Sequence, residues 1–319
     1  AVATRDERNA PTEIEWLECH VRSLLPCRRR MVGAAAITRQ CALRGRESAL
    51  QTANRKQGRF KGESSMSETR RVAIVTGSSS GVGAATVEQL AAKGWNVVIN
   101  YSRSDAAAEA VAERCRVAGA EVHVQRANVA SDDDCRALVA GALGRFERLD
   151  ALVNNAGTTK FVNHADLDGL DADDFHHIYG VNTVGAYQMT RAAAPHLRAS
   201  GNAAVVMVAS IAGVKGIGSS IAYAASKGAM ITMTKSLARV LGPEIRVNAV
   251  CPGFIQGEWL REGMGSEVYD RSKAFLEGSV PLKLTATAGT VAESIIALLE
   301  SAPLVTGETL LLDGGHHLM

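Results

Sequence analysis

The chain has 319 residues, of which 46% are hydrophobic and 21% charged, with a formal net charge of +2 at pH 7. This is the profile of a globular protein long enough for a domain of about 250 residues plus an appendage, with no global nucleic-acid signature, and no run approaches the roughly 20 apolar residues of a membrane helix. Six cysteines, at 19, 27, 41, 115, 135 and 251, show no C-x-x-C or other metal-type pairing, so a reduced intracellular state without structural disulfide or metal is expected.

Residues 1–65 carry 13 Lys/Arg against 7 Asp/Glu, a balance of +6, which leaves −4 for the remainder. This segment has no strand–helix rhythm and includes an acid-free, arginine-rich stretch at 20–46. The preferred reading is a basic, disordered extension, or a start that is not part of the native protein, with the folded domain running from Met66 to the end. A transit-type targeting segment fits the composition from Met31 onward, although Glu13, Glu15 and Glu18 argue against it. A basic interaction arm around Arg28-Arg29-Arg30 is the third reading, and that cluster is too short to imply nucleic-acid binding.

From Arg71 the chain alternates short β-rich runs with helical patterns, and strands are expected near 72–76, 96–101, 121–126, 150–154, 203–209, 245–250 and 308–312. Continuous apolar runs such as Ala203-Ala204-Val205-Val206-Met207-Val208 suit strands buried on both faces of a parallel sheet. Strict βα alternation gives an α/β fold: a single Rossmann-type, doubly wound domain over 66–319, with a seven-stranded parallel sheet and helices on both faces. Its ligand belongs beyond the carboxyl ends of the strands.

The first strand leads into Thr76-Gly77-Ser78-Ser79-Ser80-Gly81-Val82-Gly83, and a helical pattern follows from Ala84 to Lys93. Glycines there let the backbone turn tightly and approach a pyrophosphate, whose charge is favoured at a helix N-terminus. A short Gly/Ser run also makes ordinary turns, but the strand–turn–helix context favours a dinucleotide. The second strand ends in Asn100-Tyr101 and leads into Ser102-Arg103-Ser104, with no carboxylate before Asp105. A carboxylate here would bind a ribose 2′-hydroxyl and repel a 2′-phosphate, whereas Arg103 and its serines offer charge-assisted donors. NADPH/NADP+ is therefore expected over NADH/NAD+; the alternative is that Arg103 is a solvated loop cation.

Tyr223 and Lys227 lie four residues apart in a helical run, and Ser210 stands thirteen residues upstream of the tyrosine at the end of a strand. Four-residue spacing puts both side chains on one helix face. The Lys227 ammonium is expected to stabilise the Tyr223 phenolate and lower a pKa that is ordinarily about 10. A tyrosine so tuned protonates a carbonyl oxygen or deprotonates an alcohol.

With these residues the chain also carries Asn154-Asn155-Ala156-Gly157, Val181-Asn182-Thr183, Pro252-Gly253 and Asp313-Gly314-Gly315. Together they resemble the short-chain dehydrogenase/reductase family over essentially all of 70–315, with similarity to its 3-oxoacyl-carrier-protein reductases. The resemblance implies that Ser210 polarises the substrate oxygen, Tyr223 is the acid/base, Lys227 holds the ribose and tunes Tyr223, and Asn182 supports a water relay. It implies cofactor contacts at Gly77, Ser79, Ser80, Gly81, Val82 and Gly83, and at Tyr101, Ser102 and Arg103. Further contacts fall at Asn128 and Val129, at Asn155, Ala156 and Gly157, at Tyr223 and Lys227, and at Pro252, Gly253 and Ile255. Asn128 replaces the usual aspartate, keeping an acceptor while losing the charge. Gln256-Gly257-Glu258 stands where many relatives place a threonine near the nicotinamide, so backbone groups of Ile255 are expected to substitute. A cytoplasmic homotetramer built on helices near 172–199 and 221–241 is implied, with a dimer as the alternative.

The expected function is NADP(H)-dependent hydride transfer between nicotinamide and a small ketone or secondary alcohol, with no nucleic-acid or membrane partner. Within that class, 3-oxoacyl-carrier-protein reduction and NAD-dependent alcohol or sugar dehydrogenation remain open. A non-catalytic nucleotide sensor or scaffold on the same fold is the competing class. Segment 158–174 is acidic, with Asp166, Asp168, Asp171, Asp173 and Asp174 against Lys160, a poor match for an acidic carrier protein. Segment 257–278, with Trp259, Leu260, Met264 and Phe275, reads with Phe254 as an amphipathic lid over an apolar pocket. His176, His177, His316 and His317 have no metal spacing and are read as surface or subunit-contact residues.

Overall fold

The computed structural model describes residues 70–319; the readings placed on residues 1–65 lie outside them. Seven strands form one sheet: β1 (Val72–Val75), β2 (Asn96–Tyr101), β3 (Val122–Arg126), β4 (Ala151–Asn154), β5 (Ala203–Val208), β6 (Ile245–Pro252) and β7 (Thr309–Leu312). All pairings are parallel, in the order β3-β2-β1-β4-β5-β6-β7. The order reverses between β1 and β4, which opens a crevice beyond the carboxyl ends of those two strands.

The helices are α1 (Gly81–Ala92), α2 (Asp105–Val117), α3 (Asp132–Phe146), α4 (Ala172–Tyr179), α5 (Ala186–Ser200), α6 (Ala212–Lys215), α7 (Ile221–Leu241), α8 (Glu258–Met264), α9 (Ser266–Ser279) and α10 (Ala288–Glu300). Alternate strand residues divide between two cores. Val72, Ile74, Leu152, Val205 and Met207 pack with Leu138 of α3, Met189 and Leu197 of α5 and Met230 of α7. On the other face Ala73, Val75, Val97, Ile99, Val153 and Val206 pack with Val87 and Leu90 of α1, Val111 of α2 and Ile295 of α10. Strands buried on both faces are why these runs lack polar alternation.

Two local departures from the expected pattern bear on the site. Helix α1 begins at Gly81, three residues before the apolar periodicity, because the glycine turn itself forms the first helical turn. The helical pattern expected through Asn182 is interrupted by a π-helical turn, Gly180–Gly185, joining α4 to α5. A Cβ on Gly185 would lie 2.8 Å from the Val129 carbonyl oxygen, so glycine is what lets this widened turn approach the loop after β3.

Candidate active site

The glycine turn is held from two sides. From β2, the buried Asn100 accepts the Gly77 N–H at its Oδ1 (3.0 Å) and donates from Nδ2 to Ala127 O (3.0 Å), while its carbonyl accepts the Ser78 N–H (2.9 Å). From β4, Asn155 Nδ2 donates to the carbonyls of Thr76 (2.8 Å) and Gly77 (3.0 Å), and the Thr76 hydroxyl accepts the amides of Asn155 and Ala156, both at 3.0 Å. Gly77 adopts φ +62°, and a Cβ on Gly83 would stand 2.6 Å from both Asn155 Nδ2 and the Gly77 oxygen. Asn155 thus shapes the turn as a structural clamp. Asn100, whose role the sequence reading missed, does the same from the next strand.

This turn fits a dinucleotide's pyrophosphate. The N-cap Ser80 of α1 makes no side-chain cap and the first turn holds no acidic residue. By contrast, α2, α3 and α4 are capped by Ser104, Ser131 and Asp171 and have acidic first turns. The leading amides of Gly81, Val82 and Gly83 therefore meet neither an intrahelical acceptor nor a competing carboxylate. Along the same edge, Ser102 and Arg103 are exposed, and Arg103 makes no hydrogen bond or ion pair among the described residues. Asp105, the nearest carboxylate, accepts a 2.5 Å hydrogen bond from the Tyr101 hydroxyl. Asn128 accepts the Ala130 N–H at Oδ1 (3.1 Å) and donates its own N–H to Asp134 (2.7 Å), while Val129 is buried behind it.

At the ends of β5 and β6 the proton-transfer candidates come together. Ser210 follows β5, and its Oγ accepts the Ala212 N–H (3.1 Å) at the start of α6. Tyr223 lies in the first turn of α7, and its phenol is close enough to Ser210 for that hydroxyl to lower its pKa. Lys227, one turn on, is 3% exposed; its Nζ donates to the Val208 carbonyl (2.8 Å) and lies 5.6 Å from the Tyr223 ring centroid. Burial pushes the Lys227 ammonium down to about 8. Burial also pushes the Tyr223 phenol up to about 12, against the lowering effect of Ser210. The expected lowering of Tyr223 by Lys227 is thus not seen: the amine is turned toward Val208, and desolvation dominates the phenol.

Asn182, on the π-turn, is fully buried; its Oδ1 accepts the Thr158 N–H (2.8 Å) and its Nδ2 donates to Thr158 O and Ser226 Oγ, both at 3.0 Å. Its side chain clamps the loop after β4 onto α7. Gly157 in that loop is near enough that a Cβ there would lie 3.6 Å from Lys227 Nζ. Pro252 ends β6, and Gly253 passes so close to the chain after β7 that a Cβ would meet Asp313 Cβ at 2.8 Å. Ile255 pairs with Ala286, but the bridge uses the Phe254 carbonyl and the Gln256 N–H, leaving the N–H and C=O of Ile255 itself without a hydrogen bond among the described residues. Asp313 holds His317, whose ring and backbone N–H groups approach its carboxylate at 2.8–3.0 Å; His316 is partly buried, and His176 and His177 are exposed on α4.

The outer wall comes from 155–171, α8 and α9. Trp259 on α8 has its ring 5.6 Å from Phe161 and 6.4 Å from Tyr223. Phe161, also missed by the sequence reading, packs against Gly263, where a Cβ would be 2.0 Å from its ring. Lys160 is tied to Asp174 at 2.6 Å and Arg261 to Asp270 at 3.0 Å. Among the described residues no helix is long and apolar enough to cross a membrane, and Cys115, Cys135 and Cys251 are buried free thiols.

The model of the short chain dehydrogenase family matches residues 71–264. A protein of Streptomyces violaceoruber assigned as ketoacyl reductase 2 of the granaticin polyketide synthase is 42% identical over 248 residues, covering 78% of this chain and 96% of that protein. The 3-oxoacyl-[acyl-carrier-protein] reductase of Synechocystis sp. is 34% identical, covering 77% and 97%. The crystal structure of NAD+-bound xylitol dehydrogenase superposes with a TM-score of 0.71 at 27% identity, over 78% of this chain and 100% of that one. Sheet order, glycine turn and these likenesses agree: the chain belongs to the short-chain dehydrogenase/reductase family of nicotinamide-dependent oxidoreductases that act on CH–OH and C=O groups.

Proposed function

We propose that the protein is an NADP(H)-dependent reductase of ketones, running in reverse as a secondary-alcohol dehydrogenase. The observation that carries this reading is the convergence of Tyr223, Ser210 and a buried Lys227, whose Nζ lies 5.6 Å from the Tyr223 ring centroid, on the sheet edge that also bears the glycine turn. The nicotinamide, when bound, supplies the hydride that reduces the carbonyl carbon or takes it back from the alcohol. Ser210, fixed by the Ala212 amide, donates to the substrate oxygen and orients it. Tyr223, protonated at neutrality as a phenol of pKa about 10 or above must be, gives its proton to that oxygen.

Lys227 and Asn182 support that transfer. Once its bond to Val208 is exchanged, the Lys227 ammonium is free to turn toward the phenol, favour the phenolate left behind and hold a ribose hydroxyl. Asn182 has its side-chain amide committed to Thr158 and Ser226. A water relay at this residue therefore runs through the backbone of the π-turn. Arg103, free among the described residues, favours a 2′-phosphate, while Asp105 is engaged by Tyr101. The main cofactor contacts are assigned to Gly77, Ser79, Ser80, Gly81, Val82, Gly83, Asn128, Val129, Ala156, Gly157 and the backbone of Ile255. Exposed Val184 and Tyr187 near the start of α5, with Ile221 and Val240 on α7, support assembly as a homotetramer through these helices.

The test follows nicotinamide absorbance with NADPH and NADH in parallel, across small ketones, diketones, sugars and a 3-oxoacyl thioester. Turnover with NADPH that disappears in Tyr223→Phe is expected. Tight binding of cofactor with no turnover on any carbonyl would sink the reading, and a strong preference for NADH would overturn the assignment of Arg103.

A further inference from the structure

Aromatic residues make up 4% of the chain, yet three of them converge here from separate segments: Phe161 from the loop after β4, Tyr223 from α7 and Trp259 from α8. The tilts, 59° and 48°, and the centroid separations of 5.6 and 6.4 Å lie in the range of favourable edge-to-face contact. Core packing does not explain the arrangement. Helix α8 contributes no buried residue, and Trp259 itself is 51% exposed. A tryptophan in that state leaves a large apolar face uncovered, held in place by rings rather than by a core, within reach of the proton-donating tyrosine.

The charges on the same two segments are one-sided. Asp166, Asp168, Glu258 and Glu262 are exposed, whereas the neighbouring cations Lys160 and Arg261 are each committed to a carboxylate. An anionic ligand, or an acidic carrier protein bringing one, meets like charge at this entrance.

We infer that Trp259, backed by Phe161, is the specificity-determining surface of the site, and that it selects an uncharged ketone carried on a flat, conjugated ring system over aliphatic ketones and acyl thioesters. This rests on the reductase reading for the chemistry. The ring stacks on Trp259 and directs its carbonyl to Tyr223 and Ser210. Reduction balances as hydride from NADPH to the carbonyl carbon and a proton from Tyr223 to the oxygen, giving the alcohol and NADP+.

The test uses 1-tetralone and its saturated counterpart 1-decalone, which share a carbon skeleton and differ in flatness and π-surface. Conjugation makes the tetralone carbonyl the less electrophilic of the two, so a preference for it reports binding rather than intrinsic reactivity. Dissociation constants measured in the presence of NADP+, and KM with NADPH, are compared for the wild type, Trp259→Leu and Trp259→Phe. Tetralone is expected to bind at least tenfold tighter than decalone, with that preference lost in Trp259→Leu, largely kept in Trp259→Phe, and expressed in KM rather than kcat. Equal binding of the two ketones, failure of both to bind, or a tetralone preference that survives Trp259→Leu would each overturn the inference. Selective tetralone binding without turnover of any carbonyl would instead leave the stacking surface standing and remove the reductase reading. Selective turnover of a 3-oxoacyl thioester over tetralone would leave the reductase reading and remove this one.

Discussion

On the cofactor side of the cleft, the turn after β1 is tied by Asn100 and Asn155, and Asn100, Thr76 and Ser78 are each no more than 2% exposed. On the substrate side, α8 has no buried residue and presents a half-exposed tryptophan. One wall is built like a core and the other like a surface. The difference follows from what each must do: a cofactor shared across a family needs a fixed backbone cradle, which glycines and buried amides supply. A substrate wall is drawn by side chains that the fold leaves free to vary.

The largest test of this contrast crosses the boundary between the walls. Tyr223→Phe removes the proposed proton donor without moving either wall, so kcat is expected to fall about 10³-fold, within the usual range for acid–base catalysis, while the cofactor dissociation constant stays unchanged. Gly83→Ala should do the reverse. Its methyl would press on the Gly77 oxygen and the Ser78 backbone, at 2.6 and 2.8 Å, an overpacking that costs about 1–3 kcal/mol and weakens cofactor binding in titrations of the free enzyme.

Lys227 provides a pH-dependent version of the test. Its native pKa, about 8, lies below its ordinary 10.5, so between those values the unfolded chain holds a proton that the native chain has lost. More protons on the unfolded state means stability rises with pH across that window. The cost of burying the ammonium is fully present below pH 8. Tyr223 acts with opposite sign between 10 and 12, because its native pKa is raised. Urea unfolding of wild type and Lys227→Met should show the variant's advantage shrinking by on the order of 3 kcal/mol as pH rises from 8 to 10.5. A pH-independent difference would mean that the amine is solvated in the native state.

Next in size is Asn155→Ala, which strips a donor from the Thr76 and Gly77 carbonyls and is expected to cost about 1–3 kcal/mol. In a domain of this size that is a fall in Tm of about 2–4 °C per kcal/mol, accompanied by weaker cofactor binding. Arg103→Ala, on an exposed loop, should leave Tm alone and weaken NADPH about tenfold or more relative to NADH, the worth of a charge-assisted phosphate contact.

The same contrast divides what could be read from the sequence. The central strands were legible because Val72-Ala73-Ile74-Val75 and its counterparts in β4 and β5 are buried on both faces, and the edge strands from the βα alternation around them. Tyr223 and Lys227 were legible because helical spacing alone puts them on one face. Asn100 was not, since an asparagine ending a strand gives no sign of where its amide will point until the turn folds over it. The π-turn at Asn182 was hidden for a related reason: it brings Gly185 against Val129, a tertiary contact absent from any local pattern. The raised pKa of Tyr223 was missed because spacing predicts a neighbouring charge but not the depth at which both groups are buried. Phe161 and Trp259 meet across 98 positions of sequence, and no motif links them.

Trp259→Leu is also expected to have little effect on stability. If the substrate wall is a surface resting on the fold, removing this indole should shift Tm by no more than about 0.5 kcal/mol of equivalent destabilisation, as for substitutions outside the core, because no residue of α8 is buried. The Phe161 and Tyr223 rings lose a neighbour in that variant, yet both remain anchored, Phe161 by Gly263 and Tyr223 by its helix. A loss of several degrees in thermal denaturation would mean that the aromatic trio is a satellite core with a share in folding. The division between a rigid cofactor wall and a replaceable substrate wall would then fail at its most exposed residue.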